Sequence, residues 1–435
     1  MASARFPVII DTDPGIDDTL ALLLAFASPL LDVRAITVTH GNTSLENATR
    51  NVITIMNVLE EEIKHLSTRT SVPEETSGNV TEARKKFQWS KPVIAMGASS
   101  PLEIEQVAAG HVHGLDGLAN IHQEAPEYSP AYWRQLFTAK ELAAESALAS
   151  APQSSIYTTT SIPAYQEILR QLREAPPFTV TLITLGPMTN LALAYREDPV
   201  TFSRVRRIIS MGGALATPGN ITPTSEFNYA ADPHAVRVIF DATHGFIPGD
   251  RGLQLRRALI EKGEPAPVHL TVVSTDVTTK CCLPESSLTD YVSNMDTPLG
   301  RFAAFFLKFS FERITKISNG NFEMHDPLCL GLMVDWAALQ PEGEGEKRAT
   351  SEQDSELAHD LGQLGWRTEF LDLRVECGGK YTRGMILEDK RGKGFDDYAD
   401  ERSTCVEWVR ETPNPRFLRD FMKTVFDVQV RWDGN

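Results

Sequence analysis

The chain is poor in cysteine, and the five it has (Cys281, Cys282, Cys329, Cys377 and Cys405) are odd in number and form no C-x-x-C pair. That argues against a disulfide framework or a structural zinc site and leaves five reduced thiols, with the adjacent Cys281 and Cys282 read as two small residues and not a redox pair. Long apolar runs are also missing. The longest, LALLLAFASPLL at 20 to 31, falls short of the roughly 20 residues that cross a bilayer. The first residues, MASARFPVII, lack the apolar core of a signal peptide. A soluble, cytoplasmic protein without a membrane partner is expected. Positive charge is scarce too: 42 basic residues face 58 acidic ones, and the formal charge of −16 disfavours nucleic acid as a partner.

Short β-branched runs are plentiful. FPVIIDT (6 to 12), DVRAITVT (32 to 39), PVIAMG (92 to 97), FTVTLITL (178 to 185), VRRIISMGG (205 to 213) and HLTVVSTD (269 to 276) recur with helical patterns between them. Two such helices are LENATRNVITIMNVLEEE at 45 to 62, behind Ser44 as N-cap, and RFAAFFLKFSFERI at 301 to 314. The alternation predicts an α/β protein with a Rossmann-like, open, mostly parallel sheet flanked by helices. Two late strand-like runs, EFLDLRVEC (369 to 377) and TCVEWVRE (405 to 412), precede a closing helix at 416 to 427. No internal repeat is visible, so one domain over 1–435 is expected, with surface insertions of loop composition near 66–91, 121–160, 249–267 and 341–366.

The stretch that demands chemistry is DTDPGIDD at 11 to 18, four aspartates where the first strand should end and the first helix begin. In open α/β sheets ligands bind beyond the carboxyl ends of the strands. Carboxylates this close raise one another's pKa unless something positive sits among them, and such an oxygen-rich cluster suits Ca²⁺ or Mg²⁺. The plainer alternative is that Asp11 or Asp17 only caps the helix. Other strand ends offer companions. Leu185-Gly186-Pro187 presents a backbone carbonyl before a helix, and His325-Asp326 stands before Pro327 at another helix start. The block MGGALATPGNITPTSEFNYAADPHA at 211 to 235 carries Asn220, Glu226 and Asn228, whose amides and carboxylate could bind sugar hydroxyls or could simply make turns.

Taken in order, DTDPGIDD, LGPMTNLA, the MGG…GN…EFN…DP block and HDP resemble the inosine-uridine-preferring nucleoside hydrolases, from residue 9 to the TRGMILED stretch near 387. The resemblance implies cleavage of the N-glycosidic bond of a small-molecule ribonucleoside, uridine or inosine foremost, to ribose and free base, as in purine and pyrimidine salvage. It implies one Ca²⁺ held by Asp13, Asp18, Asp326 and the carbonyl of Leu185, with Asp13 also the base that activates a metal-bound water. Asp17 and Asn42, the latter in THGN, would take ribose hydroxyls; Asn220, Glu226 and Asn228 would take the remaining ones. His325 would face the leaving base, and His113, in HVHGLDGL, would lie near the base pocket. Asp11 is left as support for the turn. A homo-oligomer, dimer or tetramer, is expected as well.

The chemistry suits these residue types, because breaking a glycosidic bond builds positive charge on the sugar that carboxylates and oriented amides stabilise. Two rivals stand beside this reading. A Mg²⁺ phosphohydrolase would use Asp11 and Asp13 as a strand-end D-x-D, but no lysine block is placed to hold phosphate and the EFN block goes unexplained. A non-catalytic nucleoside-binding protein would have no need of the catalytic positions, all of which are filled.

Overall fold

The computed structural model describes residues 5–68, 91–106, 110–137, 154–314, 322–340, 361–391 and 403–431. The β-branched runs form β1 (Phe6–Thr12), β2 (Leu31–Val38), β3 (Val93–Met96), β4 (Thr158–Thr160), β5 (Thr181–Thr184), β6 (Arg207–Met211) and β7 (Leu270–Val273). Cys282–Leu283 (β8) and Phe322–Glu323 (β9) make a small separate ladder. β10 (Arg367–Leu371), β11 (Leu373–Val375), β12 (Ile386–Glu388) and β13 (Val406–Glu411) follow. Nine of these strands join one sheet in the order β10-β13-β7-β6-β5-β1-β2-β3-β4. Every pairing in it is parallel except β10 against β13.

Both faces of the sheet are covered, which is why its strands read as nearly continuous apolar runs. Side chains alternate across a strand, so Val8 and Ile10 enter one buried cluster while Ile9 enters the other. The first cluster is filled by α1 (Ile16–Ala27) and α2 (Leu45–Thr68). The second is filled by α3 (Ala164–Glu174), α4 (Thr189–Glu197) and, beyond α5 (Phe227–Ala231), by α6 (Pro233–Asp241). Later in the chain come α7 (Asp250–Glu261) and the single turn α8 (Thr275–Thr278). α9 (Pro298–Ile314), α10 (His325–Ala338) and α11 (Arg416–Phe426) return to the first face. The apolar stretch at 20 to 31 is thus mostly α1, buried along its whole length, and among the described residues no helix is long and apolar enough to cross a membrane.

Several boundaries differ from the sequence reading. The segment 249–267, read as loop, forms α7: behind Pro248-Gly249 the run LQLRRALIE is helical, and it buries Arg256, whose guanidinium donates to the Val205 carbonyl at 2.8 Å and lies over Phe178. The segment 121–160 ends in β4, the edge strand beside β3. Its residues 138–153, with 69–90 and 341–360 of the other expected insertions, lie outside the described residues. The run EFLDLRVEC is two strands, because the Asp372 carboxylate takes the Thr404 amide (3.0 Å) and hydroxyl (3.2 Å), and the chain leaves the main sheet there to pair with β12. Ser44 caps α2 as expected, accepting from the Asn47 amide at 3.3 Å.

The C-terminal strands are sewn to the sheet by one buried carboxylate. Glu407 on β13 accepts from Thr271 (2.6 Å) on β7 and from Thr368 (2.8 Å) on β10, and it meets His269 at 2.8 Å. Burial opposes its charge, but Arg207 and these hydrogen bonds outweigh that, so the carboxyl stays well below the usual carboxylate range.

The contact of α10 with α11 gives a stability prediction. A Cβ on Gly331 of α10 would lie 2.4 Å from the Phe417 ring. Alanine gains about 1 kcal/mol over glycine in a helix, whereas overpacking a core costs about 1–3 kcal/mol. Gly331→Ala is therefore expected to lose up to about 2 kcal/mol, read as a lower urea midpoint at unchanged m-value; an unchanged or higher midpoint would show that the helices separate freely.

Candidate active site

The order of winding reverses at β1, which has β2 on one side and β5 on the other. That makes a crevice at their carboxyl ends, the usual ligand position in such sheets. Into it come the residues after β1 (Asp13 to Asp18), after β2 (Gly41, Asn42), after β5 (Leu185, Gly186), after β6 (Gly213 to Asn228) and the start of α10. Asp17 and Asp18 occupy the first turn of α1, and Asp326 the first turn of α10. Two helix N-termini thus offer their partial positive charge to these anions.

Asp13 is fully buried. Its Oδ2 accepts the Asn42 amide at 2.6 Å, and its Oδ1 has no hydrogen-bond partner. Two glycines make the space it occupies: a Cβ would fall 2.0 Å from Oδ2 if placed on Gly41 and 2.2 Å from Oδ1 if placed on Gly186. Asp18 accepts from the Thr12 hydroxyl (2.5 Å), the Gly15 amide (2.9 Å) and Asn42 Nδ2 (3.0 Å). The Oδ1 of Asp17 is buried without a hydrogen bond, 3.9 Å from His113 Nδ1. That ring nitrogen in turn accepts the Ile16 amide at 3.2 Å.

Carboxylate oxygens of Asp17, Asp18 and Asp326 lie within 4.8 Å of one another. Among the described residues the carboxylate group that could hold an ion thus contains Asp17, which the sequence reading set on the sugar, and does not include Asp13. Burial pushes the carboxyls of Asp13, Asp17 and Asp326 upward, and the neighbouring aspartates push them further. Buried, unpartnered acceptor oxygens and mutual repulsion both call for a cation, and hard oxygen donors suit a divalent one.

On the other wall Glu226 caps α5. Its Oε1 accepts the Asn228 amide (2.7 Å), and its Oε2 accepts the amides of Gly213 (2.8 Å) and Tyr229 (3.1 Å). Burial raises its carboxyl despite those bonds. Asn228 Nδ2 donates to the Leu185 carbonyl at 2.7 Å, so this wall is tied to the end of β5. Asn220 is placed differently from the rest. It is exposed, in a turn closed by its amide on the Ser225 carbonyl at 3.1 Å.

His325 closes the site from α10. Its Nδ1 meets the Thr278 hydroxyl at 2.6 Å and its Nε2 meets Glu323 at 3.0 Å. Burial pulls its pKa down, but the Glu323 hydrogen bond and the charges of Asp17, Glu323 and Glu226 carry it above the ordinary value. Thr278, Glu323 and Thr12 escaped the sequence reading. Only Glu323 left a signal, standing two residues before His325 on a strand. Asp11 does not support the turn. It is a strand residue whose Oδ1 accepts from Thr37 (2.6 Å) and Asn190 (2.8 Å), and burial pushes its carboxyl to about 7.

Known proteins resemble this chain in sequence and in fold. Over 385 residues the chain is 29% identical to the pyrimidine-specific ribonucleoside hydrolase RihA of Salmonella paratyphi B, covering 88% of each chain. It is 34% identical over 236 residues to that of Salmonella arizonae, 54% of this chain and 57% of the relative. The matched stretch thus spans little more than half of the second relative. Two solved structures share the fold: a plant nucleoside hydrolase (TM-score 0.64, 22% identity, 97% of this chain and 99% of that one) and a purine-preferring ribonucleoside hydrolase from Gardnerella vaginalis (TM-score 0.63, 21% identity, 96% and 98%). The family model for inosine-uridine preferring nucleoside hydrolases matches residues 8–419, and the chain belongs to that family of N-glycosyl hydrolases.

Proposed function

We propose that the chain hydrolyses ribonucleosides to ribose and free base with the aid of a divalent cation, Ca²⁺ in preference to Mg²⁺. The observation that carries this reading is the meeting, in one strand-end crevice, of buried carboxylate oxygens without partners and a facing wall of Glu226 and Asn228. Asp13, Asp18, Asp326 and the Leu185 carbonyl would hold the ion. Asn228 already donates to that carbonyl, which keeps a second lone pair for a cation. Such an ion, when bound, supplies the positive charge that brings a water's pKa toward neutrality.

The remaining chemistry falls to side chains. Asp13 takes the proton of the attacking water, and the Asn42 amide fixes its carboxylate in place. Asp17, with Asn42, accepts from the ribose 2′ and 3′ hydroxyls. Glu226, Asn228 and the exposed Asn220 serve the remaining one. As the bond to the base breaks, positive charge grows on the ribose ring, so this ring of oxygens binds the transition state more tightly than the substrate. His325, kept protonated by Glu323, hands the departing base the Nε2 proton once Glu323 gives way, while Thr278 keeps Nδ1; His113 would serve the base pocket. The RihA relatives named pyrimidine-specific favour uridine over inosine as the better substrate. The phosphohydrolase alternative weakens because Asp11 is a strand residue whose Oδ1 is taken by Thr37 and Asn190, and because the sequence places no lysine block to hold phosphate.

The direct test is incubation with uridine, cytidine, inosine, nicotinamide riboside and a phosphate ester, measuring free ribose and free phosphate. Ribose without phosphate is expected, and phosphate without ribose would replace this reading by its rival. Asp13→Ala should cost at least about 10³-fold in kcat, near the upper range for loss of a general base. Gly186→Ala should cost about 100-fold through the displaced carboxylate, since misplacing a reacting group by about 1 Å costs that much. Wild-type rates in Asp13→Ala would rule out Asp13 as the base, and in Gly186→Ala they would show that the carboxylate does not depend on that cradle. His325→Ala should slow release of uracil far more than release of p-nitrophenol, and equal losses would exclude an acid role.

The raised carboxyls set the sign of a pH effect. Without a cation, Asp13, Asp17 and Asp326 hold protons at pH values where free aspartate has none. An entering ion displaces them, so Ca²⁺ affinity should fall as the pH is lowered. Calorimetry in buffers of different ionisation enthalpy should register the released protons; affinity independent of pH would contradict the assigned ligand set.

A further inference from the structure

The groups facing each other across the site come from separate strand ends, and the single turn α8, directly after β7, touches both walls. On one side, Asp276 Oδ1 accepts three successive amides, those of Leu215 (3.2 Å), Ala216 (3.0 Å) and Thr217 (3.1 Å), and also the Thr217 hydroxyl (2.9 Å). Its Oδ2 accepts the Trp408 indole N–H at 3.2 Å. Thr275 reinforces the contact by donating its hydroxyl to the Gly213 carbonyl at 3.1 Å. On the other side Thr278 holds His325 Nδ1. Residues two apart on a helical turn do not share a face, so one turn can serve two walls.

Consecutive N–H groups converging on one oxygen impose a tight curvature on the backbone that carries them. Here that backbone, Leu215 to Thr217, continues directly from Gly213, whose amide is bonded to Glu226. It leads on to the turn that carries Asn220 and ends at Glu226 and Asn228. Three segments of the loop are pinned: Gly213 by Glu226, Leu215 to Thr217 by Asp276, and the far end by Ser225 on the Arg383 carbonyl (2.6 Å). The middle pin reaches the loop from the end of β7, where Thr275 adds its bond to the Gly213 carbonyl, and Asn228 ties the far end to the Leu185 carbonyl after β5.

We propose that Asp276 is a positioning residue for the sugar half of the reaction. Its carboxylate sets the curve of residues 213–217 and so the place of Glu226, Asn228 and Asn220 against the ribose hydroxyl not taken by Asp17. This rests on the reading of the chain as a ribonucleoside hydrolase. An asparagine at 276 keeps the shape but must turn its NH₂ toward either the three amides or the Trp408 N–H, donor against donor. With the NH₂ toward Trp408 the three amides keep only a neutral, weaker acceptor, and with it toward the amides they keep none; either way the curve loosens, while His325, held by Thr278, keeps its place.

The test compares uridine with 5′-deoxyuridine and with p-nitrophenyl riboside in the wild type, Asp276→Asn and Thr217→Val, recording kcat and KM for each. In Asp276→Asn the preference for uridine over its 5′-deoxy analogue is expected to shrink about tenfold, equivalent to about 1.4 kcal/mol. The ratio of uridine to p-nitrophenyl riboside should stay constant, because the base side is untouched. Thr217→Val removes one hydroxyl from the same carboxylate and should shrink the 5′ preference by about threefold, which decides the matter if Asp276→Asn does not fold. A general loss of rate with the 5′ preference intact would mean that Asp276 is structural only and would overturn the proposal. Wild-type protein that releases ribose from no nucleoside overturns the functional reading together with this inference; wild-type activity whose 5′ preference survives in both variants overturns this inference alone.

Discussion

The arrangement of the molecule around its site follows from one electrostatic constraint: several aspartates must stay close together where burial strips them of most of their solvation. Unaided, they would take up protons, as their raised pKa values show. The fold answers with fixed dipoles. Two helices start at the cluster, and backbone amides of Gly15 and Asn42 point at it. Glycines at 41 and 186 let two further backbones come closer than any side chain would permit. These devices moderate the repulsion and leave Asp13 Oδ1 and Asp17 Oδ1 open, which is what a site for a hard cation and a polyhydroxylated ligand requires.

How much of this was legible beforehand depended on whether the signal was local. The parallel strands were readable because each is a short β-branched run buried on both faces, and DTDPGIDD was readable because four charges between two buried segments need a reason. The helix at 250–261 was not, since Gly249 and the many charges around it look like loop, and the helix is secured by Arg256 reaching carbonyls about fifty positions earlier in the chain. The break at Asp372 was hidden for the same reason, its cause being Thr404.

The site divides likewise. Asp13, Asp17, Asp18, Glu226, Asn228, His325 and Asp326 sit in compact motifs, and the crevice gathers them. Asn220, from one of the same motifs, ends on an exposed turn instead. Thr278 and Asp276 lie in a run, HLTVVSTDVT, that reads as an ordinary strand end. Their importance comes from what packs against them, Leu215 to Thr217 and His325, and no spacing in the sequence announces a partner fifty or sixty residues away.

The place of α1 and α11 also bears on how the chain comes to be made. α1 follows directly on Asp13 and is buried on all sides, partly against α11, which starts at residue 416. β13, near the same end, is the strand that links β7 to β10. During synthesis α1 therefore emerges apolar well before the segments that cover it, α10 at 325–338 and α11 at 416–426. Such long-range closure slows folding and leaves sticky surface waiting.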